Sequence, residues 1–194
     1  EQSAAILQAQ SIHPRFTHFD KGYTLLLTDQ VLESDVLSLL HDKLINKAQE
    51  IALIIAGLGN VGTEFMRQLP AQLARLSSGF NVKLVALLRS EQMLVNANGL
   101  DCESWQQQWE NHASPYQQAD LLSYIDTLEY EHKVVIDITA SEYFSQLYSK
   151  FVELNCHLIS ANKYAGTAPL SWYQALREDL AQRGLHWRYN ASVG

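Results

Sequence analysis

The chain has 194 residues, 47% of them apolar and 18% charged, with a formal net charge of −7. This leaves room for one good core and an appendage, and the composition excludes a disordered chain. The acidic balance, without a basic stripe, argues against a general nucleic-acid binder; no apolar run reaches membrane-spanning length, and no signal peptide opens the chain.

Residues 1–50 are expected to stand apart as a short strand–helix appendage. Tyr23–Leu27 (YTLLL) reads as a strand, and Asp29 or Ser34 can cap a helix with Val36, Leu37, Leu40, Leu44 and Ile45 on its apolar face. One strand and one helix cannot bury a core alone, so this piece must lean on the main domain or on a neighbour.

From residue 51 onward, strands and helices alternate. The apolar run Ile51–Ala56 reads as a buried parallel strand, followed by Gly57, Gly59 and Gly62. Thr63–Leu76 then repeats apolar positions with a helical period (Phe65, Leu69, Leu73, Leu76). Strand, glycine turn, helix is the context that turns G-x-G-x-x-G into a dinucleotide fingerprint. Gly57 serves the tight turn, Gly59 the close approach of a pyrophosphate, and Gly62 the packing of helix on strand. The first helical amides, from Asn60, Val61 and Gly62, point unpaired at the phosphates.

A second strand is expected through Val82–Leu88, and Glu91–Ala119 reads as loop plus short helix around Trp105 and Trp109. A helix from Ala119 to about Leu128 leads to the strand Val134–Ile138. The helix Glu142–Leu154 leads to the strand His157–Ser160. Pro169 suits the first turn of a helix ending near Gly184, before the strand Leu185–Tyr189. The expected fold is α/β: a Rossmann-like, doubly wound parallel sheet over residues 51–194, with ligands at the carboxyl ends of the strands.

A cofactor without a 2′-phosphate is usually held by an acid about 20 residues past the glycines. No acid occurs between Glu64 and Glu91, and the second strand ends in Leu88-Arg89-Ser90. A guanidinium beside a hydroxyl suits a phosphomonoester, which favours NADP over NAD and leaves use of both open. The seven histidines show no H-x-x-x-H or H-E-x-x-H spacing, so no metal site is expected; no G-x-S-x-G elbow or P-loop occurs. Cys102 and Cys156 lie far apart without a C-x-x-C, for which a reducing cytoplasm is the simplest compartment.

Four phrases in order after GLGNVG resemble the NAD(P)-binding domain of homoserine dehydrogenase. They are NGLDCESW (Asn98–Trp105), VIDITAS (Val135–Ser141), ISANKYAG (Ile159–Gly166) and HWRYNASVG (His186–Gly194). The closer likeness is to the dehydrogenase half of bifunctional aspartokinase–homoserine dehydrogenases, within threonine and methionine biosynthesis. Residues 1–50 then resemble the tail of the regulatory part that joins kinase to dehydrogenase.

The resemblance implies nicotinamide-dependent interconversion of aspartate semialdehyde and homoserine by a homo-oligomer. Lys163 matches the family's lysine at the nicotinamide end, where an ammonium can hydrogen-bond the substrate oxygen. Asn162 precedes it, and Thr139-Ala140-Ser141 matches the turn against the cofactor. Ser141 is equally a helix N-cap, and Asp137 reads as a structural, hydrogen-bonded acid. Ser192, Val193 and Gly194 match the start of a loop at the cleft. Asn190 stands where many relatives carry Glu, which places a monovalent-cation site in doubt. The chain opens without Met and stops just after a strand, so it is expected to be an excised piece that lacks the substrate and dimerisation domain and binds nucleotide without turnover. A non-catalytic dinucleotide-sensing domain is the alternative, and an adenosyl-cofactor methyltransferase fold a weaker third. Binding of NADPH without oxidation by aspartate semialdehyde separates the sensor from the enzyme.

Overall fold

The structure is a computed structural model and describes residues 7–8, 12–13, 15–20, 23–29, 31–38, 49–76 and 79–189. It divides into two units, residues 1–48 and 49–194. The first holds an antiparallel hairpin of β1 (Phe16–Asp20) and β2 (Tyr23–Leu27). The strand expected at Tyr23–Leu27 is present, and its partner β1 is an addition. Residues 34–38 are helical. Leu40, Leu44 and Ile45, expected on the same helix, lie outside the described residues.

The second unit is built on a seven-stranded sheet. Its strands are β3 (Gln49–Ala56), β4 (Phe80–Leu88), β5 (Gln92–Val95), β6 (Ser114–Pro115), β7 (His132–Asp137), β8 (Cys156–Ser160) and β9 (Trp187–Tyr189). Their order across the sheet is β6-β5-β4-β3-β7-β8-β9. The five strands from β4 to β9 are parallel, whereas β5 and β6 add on antiparallel at one edge. The sheet is therefore mixed where a parallel one was expected, and Glu91–Ala119 is not loop plus helix alone. Four-residue β5 and two-residue β6 are too short to carry a strand period, yet each pairs in register with its neighbour.

Helices cover both faces. On one face α1 (Asn60–Leu76) and α2 (Trp105–His112) bring Met66, Leu69, Trp105 and Trp109 against Leu53, Ile55, Leu84 and Leu87. On the other, α3 (Gln118–Thr127), α4 (Glu142–Ser145), α5 (Tyr148–Glu153) and α6 (Leu170–Gln182) enclose the larger cluster, which includes Ile54, Val85, Ala86, Leu88, Val135, Tyr148 and Phe151. The single helix expected over Glu142–Leu154 is broken at Gln146 and Leu147. Phe144, Leu147, Tyr148 and Phe151 keep facing the core across the break, which is why the apolar period runs through it. Pro169 caps α6 one position before its first turn.

One irregularity lies between β3 and β4. Leu53 pairs with Leu84 but Ile54 pairs with Ala86, so Val85 is an extra residue in β4. Its carbonyl is not orphaned: the Asn96 amide donates to it at 2.9 Å and the Tyr124 hydroxyl at 2.8 Å.

The chain leaves β3 for β4 on one side and later returns to β7 on the other. The carboxyl ends of β3 and β7 thus part at a topological switch point, where the loops that follow diverge and leave a crevice.

Candidate functional site

The glycine turn occupies that crevice. Gly57 has φ +100°, and a Cβ on it would lie 2.7 Å from the backbone of Ile138, so β3 and β7 can end side by side only with glycine here. A Cβ on Gly62 would lie 1.8 Å from the Gly57 carbonyl oxygen, which lets α1 start hard against the turn. Gly59 differs: nothing lies within 4 Å of where its Cβ would be, and its φ is not left-handed. The fold makes no demand for glycine at 59, and the bare backbone there faces open cleft. The Thr63 amide makes the first helical bond, to the Gly59 carbonyl at 2.8 Å. The amides ahead of it therefore have no helical acceptor and remain free for an anion.

The cleft above this turn has a volume of about 770 Å³, within the range of small-molecule sites. Gly57–Gly62 form its floor, Arg89 and Ser90 one side, and Thr139–Ser141 the other. These sequence-predicted residues, scattered over more than 80 positions, are brought together because each follows the carboxyl end of a parallel strand. Among the described residues lining the cleft, Arg89 is the one charged side chain, and no carboxylate is there to receive a ribose hydroxyl. Asn162 and Lys163 are not among the lining residues.

Asn162 is nonetheless tied to the cleft wall. It is 5% exposed, and its Nδ2 donates to Asp137 Oδ2 at 2.9 Å, to the Ser141 carbonyl at 2.8 Å and to Thr139 Oγ1 at 3.2 Å. Its Oδ1 accepts from the Tyr164 amide at 3.0 Å. One amide side chain thereby joins the loop after β7 to the loop after β8. Asp137 is fully enclosed and also accepts from the Tyr148 hydroxyl at 2.7 Å and the Thr139 amide at 2.8 Å. It is the structural acid expected from its position inside a strand. Burial, and then the Asp137 carboxylate, push the Tyr148 phenol far above its ordinary range. Ser141 Oγ accepts from the Phe144 amide at 3.2 Å, so the N-cap role is real. Lys163 follows Asn162 with its side chain in solvent, at the same end of the sheet. Asn190, Ser192, Val193 and Gly194 lie outside the described residues.

Six lining residues had no motif to mark them. Tyr116 and Gln117 come from the turn between β6 and α3, Gln118 opens α3, Tyr143 and Phe144 lie on α4, and Leu147 lies in the break after it. The Tyr143 hydroxyl donates to Gln118 Oε1 at 2.7 Å, closing the wall opposite the glycines. The available signal was topological: the segments that follow β6 and β7 lie at the end of the sheet where the crevice opens.

Comparison with known proteins agrees with this architecture. The family model for the homoserine dehydrogenase NAD-binding domain matches residues 57–190. The chain is 29% identical over 157 residues to bifunctional aspartokinase/homoserine dehydrogenase 2 of Escherichia coli K12, covering 80% of this chain and 19% of that protein. It is 30% identical over 155 residues to the bifunctional enzyme of Haemophilus influenzae, covering 79% of this chain and 19% of the relative. The chain thus spans about a fifth of the length of these relatives. The crystal structure of homoserine dehydrogenase from Thermoplasma acidophilum superposes with a TM-score of 0.54 at 24% identity, over 73% of this chain and 43% of that one. That likeness carries the fold alone. With the family model matched over more than half its length, this chain belongs to the homoserine dehydrogenase family, through the NAD-binding domain.

Proposed function

We propose that the cleft binds a nicotinamide dinucleotide, NADPH ahead of NADH, and that the chain serves as the cofactor-binding part of an enzyme interconverting aspartate semialdehyde and homoserine. The observation that carries the binding is Gly59, a glycine the fold does not require, with free amides beside it and open cleft above. The nicotinamide supplies the hydride chemistry when bound. The chain's own residues do the rest. The amides of Asn60, Val61 and Gly62 receive the pyrophosphate at the positive end of α1. Arg89, with Ser90 beside it, offers a planar pair of donors to a 2′-phosphate. Thr139–Ser141 form the wall along which the ring end would lie.

Asn162 fixes the start of the loop that carries Lys163, and the lysine ammonium would meet the substrate oxygen and stabilise charge developing there. Substrate and turnover belong to the full-length protein, since the chain spans only a fifth of its bifunctional relatives. Isothermal titration of the 194-residue chain with NADPH, NADP, NADH and NAD tests the binding. Micromolar binding with the phosphorylated pair tighter is expected, and absence of heat with all four would overturn the proposal.

A further inference from the structure

The segment between β4 and α3 converges on one side chain. Arg89 directly follows β4. Its amide donates to the Gln92 carbonyl at 2.9 Å, which fixes it to the start of β5. Its carbonyl accepts from the Tyr116 hydroxyl at 3.4 Å, which fixes it to the turn after β6. Its guanidinium carbon lies 5.0 Å from the ring centroid of Trp109, on α2. Each secondary element of this excursion thus holds Arg89 by a different part. Trp109 is 7% exposed and packed among Trp105, Leu87 and Leu94, so its ring cannot move to follow the arginine. Among the described residues Arg89 forms no ion pair.

We infer that Trp109 is a positioning residue for cofactor selection: its fixed indole face holds the Arg89 guanidinium in place at the cleft mouth, with donors free for the 2′-phosphate of NADPH. The inference rests on the nucleotide-binding reading above and deepens it. An arginine on a strand end carries several rotatable bonds, and ordering them on binding costs affinity. Stacking on a ring already anchored in the core removes part of that cost and leaves the edge of the planar group free, because a cation over a ring face still presents its N–H fork in the plane. Tryptophan is the best of the aromatic faces for this contact.

The test compares NADPH and NADH affinities of the 194-residue chain by calorimetry in wild type, Trp109→Leu, Trp109→Phe and the matched core variant Trp105→Leu. NADH lacks the 2′-phosphate, so its affinity reports the fold and the rest of the cleft in each variant. The NADPH/NADH preference is expected to fall about two- to fivefold in Trp109→Leu, less in Trp109→Phe, and not at all in Trp105→Leu. Arg89→Ala should abolish the preference, and adding Trp109→Leu to it should change nothing further. A preference unchanged in Trp109→Leu while Arg89→Ala removes it would overturn the role of Trp109 and leave the cleft reading intact. Wild-type protein that binds neither nucleotide would overturn the cleft reading itself, and this inference with it.

Discussion

Alanine at Gly59 and alanine at Gly62 should separate what the glycine turn does for the fold from what it does for a ligand. At Gly62 the added methyl would stand 1.8 Å from a backbone oxygen and 2.8 Å from the adjoining carbon, both of Gly57. Neither atom can rotate away, so α1 must back off the turn by well over an ångström. Overpacking of this kind costs up to about 3 kcal/mol, and removing a helical glycine returns about 1 kcal/mol, leaving a net loss near 2 kcal/mol. For a unit of this size that lowers Tm by about 4–8 °C. At Gly59 the methyl meets nothing within 4 Å. Reduced freedom of the unfolded chain and the poorer capping of alanine nearly cancel there, for a change within about 0.5 kcal/mol. The same methyl would occupy the space a pyrophosphate needs, so NADPH affinity should drop at least about tenfold, or roughly 1.4 kcal/mol. Thermal melts paired with titration calorimetry measure both quantities on each variant. A Gly62→Ala protein melting like wild type, or a Gly59→Ala protein binding NADPH at wild-type strength, would refute this division of labour.

Two further outcomes follow from the buried groups. Tyr148→Phe should cost about 1.5–3 kcal/mol in urea unfolding, because the enclosed Asp137 carboxylate loses the 2.7 Å donor that faces it; an unchanged midpoint would show that this hydrogen bond contributes nothing to stability. His157 is held below its ordinary pKa of 6.5, first by burial and then by His132 and His186, and its Nδ1 already accepts from the His186 amide at 3.2 Å. Well above pH 6.5 the ring is neutral in both states and contributes no slope. Below it the unfolded chain takes up the proton more readily, so stability should fall as pH drops from 6.5 toward 5, and His157→Gln should flatten that part of the Tm–pH curve.

Much of the sheet was legible because its central parallel strands β3, β4 and β7 each carry a buried apolar run, and Ile51–Ala56 followed by three spaced glycines announces both strand and turn. The same phrase located the cleft floor. Arg89 and Ser90 were legible as a strand end lacking an acid, and Ser141 as a cap. The antiparallel edge was not, since Gln92–Val95 and Ser114–Pro115 are too short for a side-chain period and are held by backbone pairing, the second with a strand some 20 residues away. Tyr116 and Tyr143 face the cleft through the topology of the sheet, and a single sequence carries no local mark of that. Trp109 was legible only as part of a short helix; the guanidinium over its ring comes from 20 residues away.

The extra residue in β4 has a directional effect beyond its local hydrogen bonds. Before it, even-numbered side chains (Val82, Leu84) look toward α1 and α2; after it, the odd-numbered Leu87 does. The frame of alternation is thus switched once, at Val85 and Ala86, both of which face the opposite layer. Arg89 inherits the odd frame, and this is the side on which Trp109 lies. Were Val85 to take an ordinary paired place in the ladder opposite Ile54, every later residue of β4 would turn over and the arginine would face the other layer. The aim of Arg89 is therefore set four residues upstream, inside the sheet, by a single unpaired position.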